Sequence, residues 1–231
     1  MPQSKRSFMR EDIADICRNV DKKIGISKSY QESGIVPYGM VPQFLDNCFQ
    51  EAIEKQKAWS FQARAKVSGD MFEVAFEYIM KKLFGITLIS NYPIPSICMP
   101  KGVASADFVL LSKKVSFGEN PILCVIEAKG SALRVKTPNG RIEELPRPGL
   151  MRSDTVKKAL ANAFLVKRGT ELGKLPKGTK FFLVTNAIPH KGTTPRCMLD
   201  MATGVIVDHI CEITVKEDLQ SLANSLRKIL K

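Results

Sequence analysis

Histidine, acid and long apolar runs are all scarce in this chain, and each shortage removes a class of protein. Only two histidines occur in 231 residues, His190 and His209. The six cysteines (Cys17, Cys48, Cys98, Cys124, Cys197 and Cys211) include no Cys-x-x-Cys pair. A zinc site draws on clustered nitrogen and sulfur ligands, so this spacing argues against one. Scattered cysteines read instead as small hydrophobes in a reducing cytosol. No apolar run approaches the roughly 20 residues that span a bilayer. The opening MPQSKRSFMREDIADIC is charged throughout and has no apolar signal-peptide centre. The expectation is a cytoplasmic protein with no membrane partner. Acid is outnumbered, with Asp plus Glu at 23 against Lys plus Arg at 35, a net charge of +12. Such a surplus favours a polyanionic partner. Nucleic acid is the first candidate, and no strongly basic amphipathic helix supports an anionic membrane surface instead.

Periodicity divides the chain. Residues 7–20 carry apolar side chains at helical spacing, and 44–59 do so again, separated by a Gly/Pro/Ser-containing stretch over 25–42. Residues 1–60 therefore read as a helical appendage. The spacing predicts a further helix over 70–84, with Phe72, Ala75, Phe76, Ile79 and Leu83 as its buried stripe. Asp70 and Glu73 have capping-box spacing at its start, and Gly85 suits its end. The period then changes. Residues 86–90, 107–111 and 122–127 read as strands, 153–168 as a helix, and 180–185 (KFFLVT) as a buried strand. Residues 205–213 suggest a last strand and 219–230 a closing amphipathic helix. This order predicts an α/β fold, a central mixed β-sheet flanked by helices.

Chemistry concentrates in SADFVLLSKKVSFGENPILCVIEAKG, residues 105–130. An apolar strand ends abruptly in Glu127-Ala128-Lys129. Alternation puts Glu127 and Lys129 on one face, with Ala128 on the other, where a small apolar group suffices. A turn signalled over 118–121 folds the preceding strand back as a hairpin, which brings Asp107 opposite Lys129 or a near neighbour. Two converging carboxylates make a hard oxygen site for Mg²⁺, with the Ala128 carbonyl as a further ligand. Lys129 would orient or deprotonate a water, or steady a phosphate. The bland alternative is an exposed ion pair at a strand end.

Asp107, nineteen residues, then Glu127-Ala128-Lys129 resembles the core motif of the PD-(D/E)XK nuclease superfamily. Ala106 stands where that motif usually has proline. The segment SGDMFE is similar to the superfamily's first core helix, which often supplies another acid, here Glu73; the capping-box role is the alternative. Glu77, one turn on, is expected to pair with Lys81. The resemblance spans about 67–186 and implies a restriction-endonuclease-like core within a nuclease domain over 61–231. It further implies a prokaryotic type II restriction enzyme that hydrolyses double-stranded DNA with Mg²⁺, using Asp107, Glu127, Lys129 and Glu73 as catalytic residues. The alternatives are a structure-selective repair or junction-resolving nuclease, and a nucleic-acid-binding protein without catalysis.

Basic residues after the strand suit DNA backbone contacts: Arg134, Lys136, Arg141, Arg147, Arg152 and Lys157. Ser153 and Asp154 are expected to cap the following helix. Lys191 and Arg196, in HKGTTPR, are candidates for base edges. The segment 38–42 is read as core rather than as a groove wedge. One centre cuts one strand, so paired cuts at a palindrome imply a homodimer, with residues 1–60 as its interface or as a DNA contact.

Overall fold

The computed structural model describes residues 10–95, 103–112 and 121–231. Residues 7–9 of the first expected helix, Cys98, and residues 118–120 of the expected turn lie outside them. The protein is α/β, with a five-stranded mixed sheet between two helical layers. Four helices come first: α1 (Arg10–Ile24), α2 (Ile26–Ser33), α3 (Val41–Gln56) and α4 (Phe61–Phe84). Strands β1 (Ile89–Pro95), β2 (Val103–Leu111) and β3 (Ile122–Ala128) follow. A small hairpin, β4 (Arg134–Lys136) and β5 (Ile142–Glu144), precedes α5 (Ser153–Glu171). The chain closes with β6 (Lys180–Thr185), α6 (Thr194–Ala202), β7 (His209–Glu212) and α7 (Lys216–Ile229). The sheet order is β1-β2-β3-β6-β7. Pairing is antiparallel from β1 to β3 and parallel from β3 to β7. The switch at β3 is what crossing over through α5 requires, because a tight hairpin cannot join parallel neighbours.

The central strands alternate between the two layers. Phe108, Cys124, Ile126 and Ala128 face a core shared by α1, α3, α4 and α7. Val109, Val125 and Leu183 face a second core under α5 and α6. The N-terminal helices lay their apolar stripes (Ile16, Val20, Phe44, Phe49) into the first of these cores. Among the described residues no helix is long and apolar enough to cross a membrane. Cys17, Cys48, Cys124 and Cys211 are buried as small hydrophobes, whereas Cys197 is exposed.

Several boundaries differ from the sequence reading. Helix α4 begins at Phe61, where Ser60 Oγ accepts from the Ala63 N–H at 3.2 Å. Asp70 and Glu73 therefore sit mid-helix and form no capping box. Gly85 does end it, in the left-handed conformation with φ 67°. The stretch over 25–42 is not a loop: it contains α2 and a 3-10 turn at Tyr38–Met40. The strand expected at 86–90 starts at Ile89, and the one expected at 205–213 is the shorter β7. Helix α6 is only nine residues long and carries Pro195 in its first turn, which reads as a turn signal after Gly192-Thr193-Thr194, so the sequence reading did not include it. The N-cap of α5 is Arg152, not Ser153; Asp154 accepts from Arg152 at 2.9 Å and is also held by backbone N–H groups of the first turn.

Candidate active site

Strand β3 carries the site to the C-terminal edge of the sheet. Val125 and Glu127 point to the α5 layer, and Ile126 and Ala128 to the α4 layer. Ala128 is buried against that first core, where its small side chain fits. The β2–β3 register pairs Phe108 with Ile126, and a bulge falls between Leu110 and Leu111. Continued one step, this register sets Asp107 level with Glu127, two residues short of the expected Lys129. The bulge inserts one extra residue on β3 and so moves the pairing one step toward the expected register, leaving two residues of difference that it does not account for. The three side chains converge nonetheless. Lys129 Nζ lies 2.6 Å from Glu127 Oε1 and 3.1 Å from Asp107 Oδ2. It also donates to the Ala128 carbonyl at 3.4 Å. The Ala128 N–H donates to Asp107 Oδ2 at 2.9 Å, which fixes that carboxylate against the strand.

This is not an exposed ion pair. The side chains of Glu127, Asp107 and Lys129 are 5 %, 22 % and 24 % exposed. Burial pushes the Glu127 carboxyl up from its ordinary range, with Asp107 adding to it; Lys129 and Asn162 hold it back. Burial disfavours the Lys129 ammonium, but the two carboxylates outweigh it and its affinity for the proton rises. Glu73, on α4, is pushed up to about 7 by burial and then by the charge of Asp107, against Arg10 and Lys129. Arg10 sits 3.6 Å from Glu73 and donates to Glu77 at 2.7 Å. Glu77 thus pairs with α1, not with Lys81 as expected.

A supporting shell of polar residues escaped the sequence reading. Asn162, on α5, donates to Glu127 Oε1 at 3.0 Å. The Thr185 hydroxyl donates to the Lys129 carbonyl at 2.7 Å, and the Lys129 N–H donates to the Val184 carbonyl at 2.8 Å. Asn186 holds Ser131 both ways, accepting from its N–H at 3.0 Å and donating to its carbonyl at 2.8 Å. Ser131 Oγ accepts from the Gly149 N–H at 2.8 Å. Buried asparagine and threonine at the end of an apolar strand, as in KFFLVTN, are the signal that was available. Glycine is required nearby: a Cβ on Gly130 would stand 2.1 Å from the Phe72 ring.

The donor set can be weighed against Mg²⁺. One ammonium nitrogen has Asp107, Glu127 and the Ala128 carbonyl within 3.4 Å, so three oxygens of the expected ligand set already surround one cationic centre. Mg²⁺ commonly takes one or two carboxylates and keeps several waters, so the set fits it. Among the described residues, no cluster of three or more His, Cys, Asp or Glu side chains stands ready for a metal.

The basic candidates separate into groups. Arg147 and Arg152 line a cleft beside Lys129. Arg134, Lys136 and Arg141 belong to the β4–β5 hairpin region, which docks on α3 through Arg134–Asp46 at 2.9 Å and Gln50 with the Lys136 backbone. Lys157 is exposed on α5, and Lys191 is exposed before α6. Arg196 pairs with Asp200 at 2.7 Å and borders a separate cavity with His209 and Asp218. The structure does not bring Arg196 to the carboxylate site. The segment 38–42 contributes Val41 to the core and Tyr38 and Met40 against it. No family model matches the chain, and no curated protein or solved structure is significantly similar to it.

Proposed function

We propose that the protein is a magnesium-dependent deoxyribonuclease of the PD-(D/E)XK superfamily, with a restriction-endonuclease-like core. One observation carries the reading: Asp107, Glu127 and the Ala128 carbonyl converge on a single cationic point at the C-terminal end of the central strand. Mg²⁺ held by these three groups would supply Lewis-acid chemistry at a phosphodiester. Lys129 would turn its ammonium to the attacked phosphate and offset its charge, or orient the water. Asn162 keeps Glu127 aimed, leaving Oε2 clear of both donors. Thr185 and Val184 hold the Lys129 backbone in place. The net charge of +12 and the basic side chains after β3 suit DNA; paired cuts at a palindrome would call for a homodimer, and structure-selective cleavage of one strand would not.

Incubating the purified protein with supercoiled plasmid and Mg²⁺ tests this. Cleavage that EDTA abolishes is expected. Asp107→Ala, Glu127→Ala and Lys129→Ala should each lose nearly all activity while retaining DNA binding. Double variants should lose little more, because the groups act as a unit. Asn162→Ala should lower the rate by about tenfold, as expected of an outer-shell partner. Full activity in Glu127→Ala, or in EDTA, would overturn the assignment.

A further inference from the structure

Beside Lys129 lies a cleft of about 330 Å³. Its walls are the first turns of α4, the end of β3 and the segment over 145–152. That volume sits at the small end of sites for small molecules, and a duplex whose major groove alone is about 12 Å wide does not enter it.

Three features of the walls suggest an occupant. Phe61, on the rim, is 49 % exposed, an unusual position for a large aromatic. Ser68 is wholly buried, and its hydroxyl has no hydrogen-bond partner among the described residues. A helical serine ordinarily bonds back to the carbonyl four residues earlier, so this hydroxyl is left wanting a partner. Lys66 and Arg147 are exposed and make no ion pair among the described residues, although Asp70, one turn on, attracts Lys66. Arg152 lies alongside but is engaged by Asp154. Asp70 and Glu73 share the wall, which disfavours a ligand that is anionic throughout. The walls thus suit a ligand with a flat apolar face, one anionic group and a polar edge with donors. An unstacked nucleotide has all three: a base face for Phe61, a phosphate for Lys66 and Arg147, and a base edge for Ser68 and the acids. A base can meet an aromatic platform only after leaving its own stack.

We propose that this cleft receives one unstacked nucleotide adjoining the cleaved phosphate, so that the preferred substrate is a strand able to leave its partner, as in a single strand, flap or frayed end. The proposal rests on the nuclease reading for its link to cleavage, but binding tests it separately. The probes are fluorescein-labelled oligothymidylate and a closed hairpin duplex, titrated without Mg²⁺ by anisotropy. Phe61→Ala, at an exposed site, should weaken single-strand binding by about tenfold, the scale of one lost base stack, and leave duplex binding unchanged. Phe61→Tyr should restore it. Ser68→Ala should weaken single-strand binding severalfold without lowering the unfolding midpoint, which separates a ligand contact from a structural role. Equal losses on both probes, or none, would overturn the proposal. Plasmid cleavage by the wild type alongside an unaffected Phe61→Ala variant would overturn it while leaving the nuclease reading intact. Selective single-strand loss in Phe61→Ala supports the cleft assignment even where the wild type cleaves nothing, an outcome that would sink the nuclease reading instead.

Discussion

Replacing Lys129 by methionine removes one ammonium and keeps a similar stem, so it isolates the charge. In the protein that ammonium sits between Glu127 and Asp107 at 2.6 and 3.1 Å. Breaking a buried pair typically costs about 3–5 kcal/mol. Lys129 is 24 % exposed, which admits some solvent screening, so about 2–3 kcal/mol is expected near neutral pH. The sign follows from Glu127. Its folded pKa is already raised by burial, and losing Lys129 raises it further. A raised carboxyl costs stability as pH climbs above its unfolded value, near 4.3. Lys129 itself has a raised affinity for its proton, so it stays charged over this whole range and the pH dependence comes from Glu127. The gap between wild type and Lys129→Met should therefore be small near pH 4 and open toward pH 8. With roughly 2–4 °C per kcal/mol for a chain of this size, the midpoint should drop by about 5–10 °C at the upper pH. Mg²⁺ should then restore more stability to the variant than to the wild type, because the ammonium no longer competes for the carboxylates. A ligand at about 100 times its dissociation constant adds about 2.7 kcal/mol. Thermal unfolding at both pH values, with and without Mg²⁺, reads all of this. A gap that is the same at both pH values, or no larger Mg²⁺ effect in the variant, would refute the electrostatic account.

Gly130→Ala should destabilise by about 1–3 kcal/mol or more, the usual cost of overpacking, because its Cβ would stand 2.1 Å from the Phe72 ring. Phe72→Leu in the same chain should recover part of that loss in urea unfolding, and purely additive losses would contradict the clash. Glu73→Gln should be neutral near pH 4 and stabilising by about 1–2 kcal/mol near pH 8. The reason is that Glu73, pushed up to about 7, binds its proton more tightly folded than unfolded, so ionising it erodes stability as pH rises from about 4.3 to 7. A variant whose stability tracks the wild type across that range would show the carboxyl to be unperturbed.

The β3 strand shows how far sequence reasoning reaches. Alternation along Ile122–Ala128 was legible because one side chain in two must face each layer, and Glu127 and Lys129 do share a face. The hairpin register was legible only to within two residues. The pairing sets Asp107 level with Glu127, and the one-residue bulge at Leu110/Leu111 has no mark in the local pattern. Strand β6 matched its expected span because five of the six residues of KFFLVT form one unbroken buried run, whereas α4 starts earlier than its expected span. Its first six residues are exposed or only partly buried, so the buried apolar stripe that marks the rest of the helix is missing there.

Local pattern by itself determined the α/β class, the apolar stripes of the long helices and the trio Asp107, Glu127 and Lys129, because these depend on spacing within or between adjacent strands. Tertiary structure alone decided who supports that trio. Asn162 meets Glu127 across 35 positions, Thr185 meets Lys129 across 56, and Arg10 meets Glu77 across 67. No spacing rule links such residues. They meet because two separate cores press α5 on one face of the sheet and α1 and α4 on the other, and that choice is made by the packing of the whole chain.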